Sequence, residues 1–87
     1  MKELERTLKA LANKRRLAIL KYLKKSNRAS VSDIAAAIDL SFKSTSRHLN
    51  VLLSADILEK QQSSLQMFYY LTPEPKPLVQ YFITNFI

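Results

Sequence analysis

The chain has 87 residues, 47% of them hydrophobic, and carries Lys+Arg 14 against Asp+Glu 7, a net charge of +7. That is one small folded domain whose excess of cations points to a polyanionic partner. It has no cysteine, no glycine and a single histidine, His48, which excludes disulfides, thiolate metal sites, a histidine-cluster zinc site within one chain, and the glycine-rich phosphate-binding loops. No apolar run approaches membrane-spanning length, and Met1-Lys2-Glu3 does not open a signal peptide, so the expectation is a cytoplasmic protein. The cations are scattered over several segments, unlike those of a membrane-surface helix with aromatics opposite.

Taken in order, Glu3–Ala12 predicts a helix with a narrow apolar stripe at Leu4, Leu8 and Leu11. Asn13 breaks it and caps a second helix over Lys14–Lys25, with Leu17, Ile19, Leu20 and Leu23 on a broad buried face. Ser26–Ala29 reads as a polar connection. Ser30 then caps a third helix, with Asp33 three residues on and Val31, Ile34, Ala35 and Ile38 as its apolar stripe. Asp39-Leu40-Ser41 is a tight turn, and Ser41–Asp56 is a fourth helix that Ser41 can cap. Two short amphipathic helices joined across about three residues make the helix-turn-helix pattern.

The fourth helix is divided by chemistry. Thr45, His48, Leu49 and Leu52 form an inward stripe, and Lys43, Ser46, Arg47 and Asn50 lie opposite. The outward face holds no acid, and each of its side chains can donate a hydrogen bond. It suits a surface of acceptors and negative charge such as the DNA major groove. The bland alternative is a solvated face that happens to lack acids.

After Asp56 the period changes. Ile57–Gln62 and Gln66–Leu71 predict a β-hairpin bent at Ser63-Ser64, to which Leu65 can add, without the usual Asn-Gly or Asp-Gly turn. Thr72–Pro77, with three prolines, is a stiff link, and Pro77 suits the first position of a last helix, Leu78–Ile87. There Val79, Phe82, Ile83 and Phe86 form a stripe that Leu78 and Tyr81 widen nearly around the cylinder. A second copy of the chain is the simplest cover for the surplus, although burial within one chain is the alternative.

Leu8–Leu20, LKALANKRRLAIL, resembles the opening of ArsR-type winged-helix repressors. Ser46–Leu52, SRHLNVL, is similar to their recognition-helix signature, Ala55–Leu58 to their helix-to-hairpin corner, and Phe68–Leu71 to their second wing strand. The similarity covers roughly Leu4–Leu71. It implies a mainly α fold with a small β-hairpin, a winged helix-turn-helix in the order α-α-α-α-β-β-α. Residues 1–72 would be the DNA-binding domain, and 73–87 a Pro-rich link and C-terminal dimerisation helix.

The resemblance also implies a homodimeric, sequence-specific transcription regulator of double-stranded DNA, not an enzyme. On this chain its DNA-binding positions fall at Lys43, Ser44, Ser46 and Arg47, to which Asn50 of the outward face and Lys60 of the wing add. His48 matches the family's histidine, but its place on the inner edge favours packing or phosphate bonding over base reading. The dimer interface would comprise Leu4, Leu8, Leu78, Tyr81, Phe82 and Phe86. Two recognition helices in successive major grooves predict a near-palindromic operator.

The departures bear on the signal. Ala29–Ile34 has no thiol where many members bind metals, and Leu78–Ile87 offers neither the histidines nor the carboxylates that others use, so the expectation is no cofactor, no metal and no thiol sensing. Asp56 stands where the family usually has glycine, at a corner expected to need a positive φ. The wing tip lacks glycine and arginine. Lys14, Arg15 and Lys60 are expected to position the frame on phosphates. Two further classes compete: a winged-helix protein-interaction module, favoured by Leu53 on the fourth helix, and an architectural nucleic-acid binder.

Overall fold

Five helices and three strands follow one another in a computed structural model that describes residues 1–87: α1 (Lys2–Leu11), α2 (Lys14–Ser26), β1 (Arg28–Ser30), α3 (Val31–Ile38), α4 (Phe42–Ser54), β2 (Leu58–Ser63), β3 (Gln66–Leu71) and α5 (Pro77–Phe86). The helix starts are written in the capping residues. Asn13 Oδ1 accepts from the backbone N–H of Arg15 and Arg16 at 2.9 and 3.1 Å. Ser30 Oγ accepts from Asp33 N–H and Ser41 Oγ from Ser44 N–H, each satisfying a donor that a helix amino end leaves free. Pro77 occupies the first turn of α5, where its missing N–H costs nothing.

A glycine-free chain must make its sharp turns with other residues. Asn27, Asp39, Asp56 and Ser64 take positive φ values of 73, 55, 59 and 59°. Asp39 ends α3, its N–H and that of Leu40 returning to the carbonyls of Ala36 and Ala35, which turns the chain toward α4. Asp56 makes the corner before β2 in the left-handed region, as the sequence leads one to expect. Asn and Asp tolerate that region better than other non-glycine residues.

The sheet is three-stranded and antiparallel, in the order β1-β3-β2. The two-stranded wing of the sequence reading is present, with Ser63 opposite Gln66 and Ser64-Leu65 between them. The connection expected over 26–29 is corrected in part, and the element order with it. Arg28–Ser30 pairs with Phe68–Tyr70 as a third strand, with the Arg28 guanidinium 4.5 Å from the Phe68 ring centroid.

The core lies where α2, α3 and α4 meet the sheet. Leu20, Leu23, Ile34, Leu49, Leu52 and Ile57 are fully buried in one cluster, and Val79 of α5 joins it. Full burial of a leucine such as Leu49 contributes about 1.5–3 kcal/mol. Leu49 and Leu52 therefore fix the rotation of α4 about its axis, and that rotation decides which side chains it shows to solvent. Thr45 is also fully buried, and its Oγ1 has no hydrogen-bond partner. The stripe of α1 is less deeply seated than its spacing suggests. Thr7, Ala10 and Leu11 are buried, while Leu4 and Leu8 are 43% and 49% exposed.

Candidate nucleic-acid interface

The inward stripe of α4 is buried at Thr45, Leu49 and Leu52, so the helical period carries Lys43, Ser46, Arg47 and Asn50 to the other side. Lys43, Arg47 and Asn50 are exposed, and Ser46 and Ser44 are half-buried at the edges. Lys60 is exposed on β2, opposite Tyr69 of β3. No acid occurs in the sequence between Asp39 and Asp56. The ion pairs of the molecule, Lys9–Glu5 and Lys76–Glu3, lie elsewhere. The cations of this face are thus free of carboxylate partners.

Three placements differ from the sequence reading. Arg15 is half-buried, and its Nη1 donates to the Ile38 carbonyl at 3.3 Å, at the carboxyl end of α3, which engages one of its five donors. Leu53 is half-buried against the core. The exposed apolar residues of α4 are instead Phe42, 60% exposed at its first position, and Val51. Val51 could have been found from the sequence, since it stands outside the Thr45–Leu52 stripe; Phe42, three residues before Thr45, falls on the line of that stripe and is exposed at the first position of the helix.

The residue the sequence reading missed is Arg16. Its Nε donates to the Ala10 carbonyl at 2.6 Å and its Nη2 to the Lys9 carbonyl at 2.9 Å, both at the carboxyl end of α1. Its Nη1 lies 3.2 Å from Nδ1 of His48 on α4. One guanidinium thus joins α1, α2 and α4 while meeting carbonyls that the end of a helix leaves unpaired. Burial holds the His48 imidazole below its usual pKa, and the nearby charges of Arg16, Arg15 and Arg47 add to the effect. The ring therefore resists a positive charge.

Elsewhere, Leu4 and Leu8 of α1 and Leu78, Tyr81 and Phe86 of α5 are exposed, Tyr81 and Phe86 at 61% and 69%. Phe82 is half-buried and packs against the core cluster. Leu4, Leu78 and Met1 line one shallow hollow together with Thr7 and the Glu3–Lys76 ion pair, so α1 and α5 adjoin at that end. No three His, Cys, Asp or Glu side chains come together within the chain in a group able to hold a metal. No helix is long and apolar enough to cross a membrane.

Residues 13–60 match the family described as bacterial regulatory protein, arsR family. Among solved structures, the chain is similar to the homodimeric winged helix-turn-helix DNA-binding domain of Mb0332 from Mycobacterium bovis, described as a possible ArsR-family transcriptional regulator. The two are 28% identical with a TM-score of 0.83, over 95% of this chain and 73% of that one. HlyU from Vibrio cholerae is 30% identical with a TM-score of 0.79, over 94% and 82% of the two chains. The AntR antimony-specific transcriptional repressor is 28% identical with a TM-score of 0.77, over 94% and 71%. Comparison with curated proteins gives no match.

Proposed function

The chain belongs to the ArsR family of bacterial regulatory proteins, winged helix-turn-helix DNA-binding regulators, and on that premise we propose that it is a cytoplasmic homodimer that reads a near-palindromic operator with α4 in the major groove. The observation that carries the proposal is the outward face of α4, where Lys43, Arg47 and Asn50 are exposed in a stretch free of acids. Arg47 has the fork geometry for bidentate bonding to guanine O6 and N7. Lys43 and Asn50 flank it, and the hydroxyls of Ser44 and Ser46 bond phosphates or base edges. Lys14 and Lys60, both exposed, position the frame on phosphates.

Residues 1–72 serve as the DNA-binding domain, and 73–87 as the Pro-rich link and dimerisation helix. The exposed apolar residues of α1 and α5 supply the interface through Leu4, Leu8, Leu78, Tyr81, Phe82 and Phe86. The homodimeric state of the Mycobacterium bovis domain supports this arrangement. The signal is neither thiol oxidation, since the chain has no cysteine, nor a metal held within one chain.

A protein-interaction module is the second reading, and exposed Phe42 and Val51 on α4 favour it. Affinity for duplex DNA measured against salt separates the two. The regulator binds as two chains per duplex, with log K falling linearly in log salt by about 0.9 per phosphate neutralised. Salt-independent binding, or one chain per duplex, overturns the reading.

A further inference from the structure

Arg16 belongs to no part of the recognition surface described so far, and His48 entered it only as a packing or phosphate-bonding residue, yet their geometry constrains it. A guanidinium has five N–H donors and no acceptor, and it does not lose its proton in proteins. The Arg16 Nη1–His48 Nδ1 contact at 3.2 Å is therefore a hydrogen bond only if Nδ1 accepts. An accepting Nδ1 carries no proton, so the neutral ring keeps its proton on Nε2.

Every neighbour favours the neutral ring. Arg15 and Arg16 on α2 and Arg47 on α4 are cationic. From α1, Arg16 is met by backbone carbonyls, and the acid in the adjoining hollow, Glu5, is engaged with Lys9 at 3.8 Å. Burial of the ring acts in the same direction. The guanidinium is itself anchored, because Asn13 caps the helix turn that bears it.

We propose that Arg16 is a positioning residue for DNA binding: it fastens α4 to the carboxyl end of α1 and holds His48 as the neutral Nε2–H tautomer, which makes His48 a single-proton donor to a DNA phosphate beside Arg47. The proposal rests on the DNA-binding reading for its phosphate and on the hydrogen-bond geometry alone for its tautomer. It also links α1, whose leucines belong to the proposed dimer interface, to the recognition helix through one side chain of α2.

The test uses the full chain, in which His48 is the only histidine, so its ring nitrogens are observed without ambiguity. Long-range 15N–1H correlation in the free protein is expected to show Nε2 protonated and Nδ1 bare above neutral pH. Arg16→Gln is expected to mix the tautomers and weaken operator binding about tenfold, the loss of one charge-assisted contact. His48→Asn keeps an acceptor for Arg16 and discards the Nε2 donor. It is expected to leave the melting temperature near that of the parent and to lose about tenfold in affinity. A protonated Nδ1 in the parent protein, which needs no variant to be seen, overturns the tautomer. Full affinity in His48→Asn overturns the phosphate contact. Should the parent bind no duplex while Nε2 proves protonated, the tautomer stands, and the phosphate role falls with the DNA-binding reading.

Discussion

Two surfaces of this small domain are left open, and they are opposite in chemistry. The outer face of α4 shows cations and amides without a carboxylate among them. The outer faces of α1 and α5 show leucine, tyrosine and phenylalanine. An ordinary solvated surface mixes both charge signs and scatters its apolar groups. The first departs from that mixture in charge sign, although Phe42 and Val51 are also exposed on α4, and the second in its apolar content, although α1 carries exposed charges of both signs beside its leucines. On the proposed reading, the difference teaches that the molecule solves two recognition problems with separate elements: an acceptor-rich polyanion against α4, and another copy of itself against α1 and α5. Arg16, bonded to both α1 and α4, is where the two faces meet.

The contrast is sharpest to break from the apolar side. Leu8→Glu places a charge in the proposed interface, and twofold symmetry repeats it opposite. It is expected to yield a monomer in sedimentation and to cost about 10²–10⁴ in operator affinity, because the two half-sites are no longer held by one assembly. A dimer that persists separates α1 from the interface. On the polar side, Arg47→Ala is expected to lose about 1–3 kcal/mol of discrimination at one base pair while the protein stays dimeric by the same measurement. Loss of both properties at once would merge two surfaces that the account keeps apart.

A third expectation concerns the joint between them. The pKa of His48 is lowered in the folded chain from its ordinary 6.5. As pH falls below about 6.5, the unfolded chain takes up a proton that the folded one refuses. Stability is therefore full above that value and declines as pH drops toward the folded pKa. Thermal melts across this range are expected to show the decline, and His48→Asn to lack it. The smallest change lies beneath the recognition face, where the buried Thr45 hydroxyl has no partner. Thr45→Val removes that unsatisfied group and is expected to stabilise by about 1 kcal/mol, or about 4–8 °C in melting temperature, with DNA affinity unchanged. A destabilised variant would mean that the hydroxyl is satisfied in solution.

What could be read from the chain follows from how local each signal is. The caps at Asn13, Ser30 and Ser41 and the proline at Pro77 act within three residues of themselves, and all mark helix starts. The stripe at Thr45, Leu49 and Leu52 is a property of one helix, and it sufficed to orient α4. The strand Arg28–Ser30 has no such signal. Three residues establish no period, and their partner Phe68–Tyr70 lies forty residues on. Arg15 and Arg16 were illegible for the same reason, since a guanidinium that binds backbone carbonyls leaves no mark at the residues it binds. Leu53 looked exposed by spacing, but the end of α4 packs onto the core. Asp56 was legible through the resemblance alone, since it stands where the family usually has glycine, and its φ of 59° lies in the region that Asp tolerates better than most residues.

Selection of duplexes from a random pool by the parent protein, with Arg47→Ala run in parallel, tests the central claim most directly. The account predicts one enriched near-palindrome, its half-sites about 34 Å apart or a multiple of it, and loss of a specified guanine from the set enriched by the variant. A pool that emerges without any preferred sequence, or the same sequence from both proteins, contradicts it.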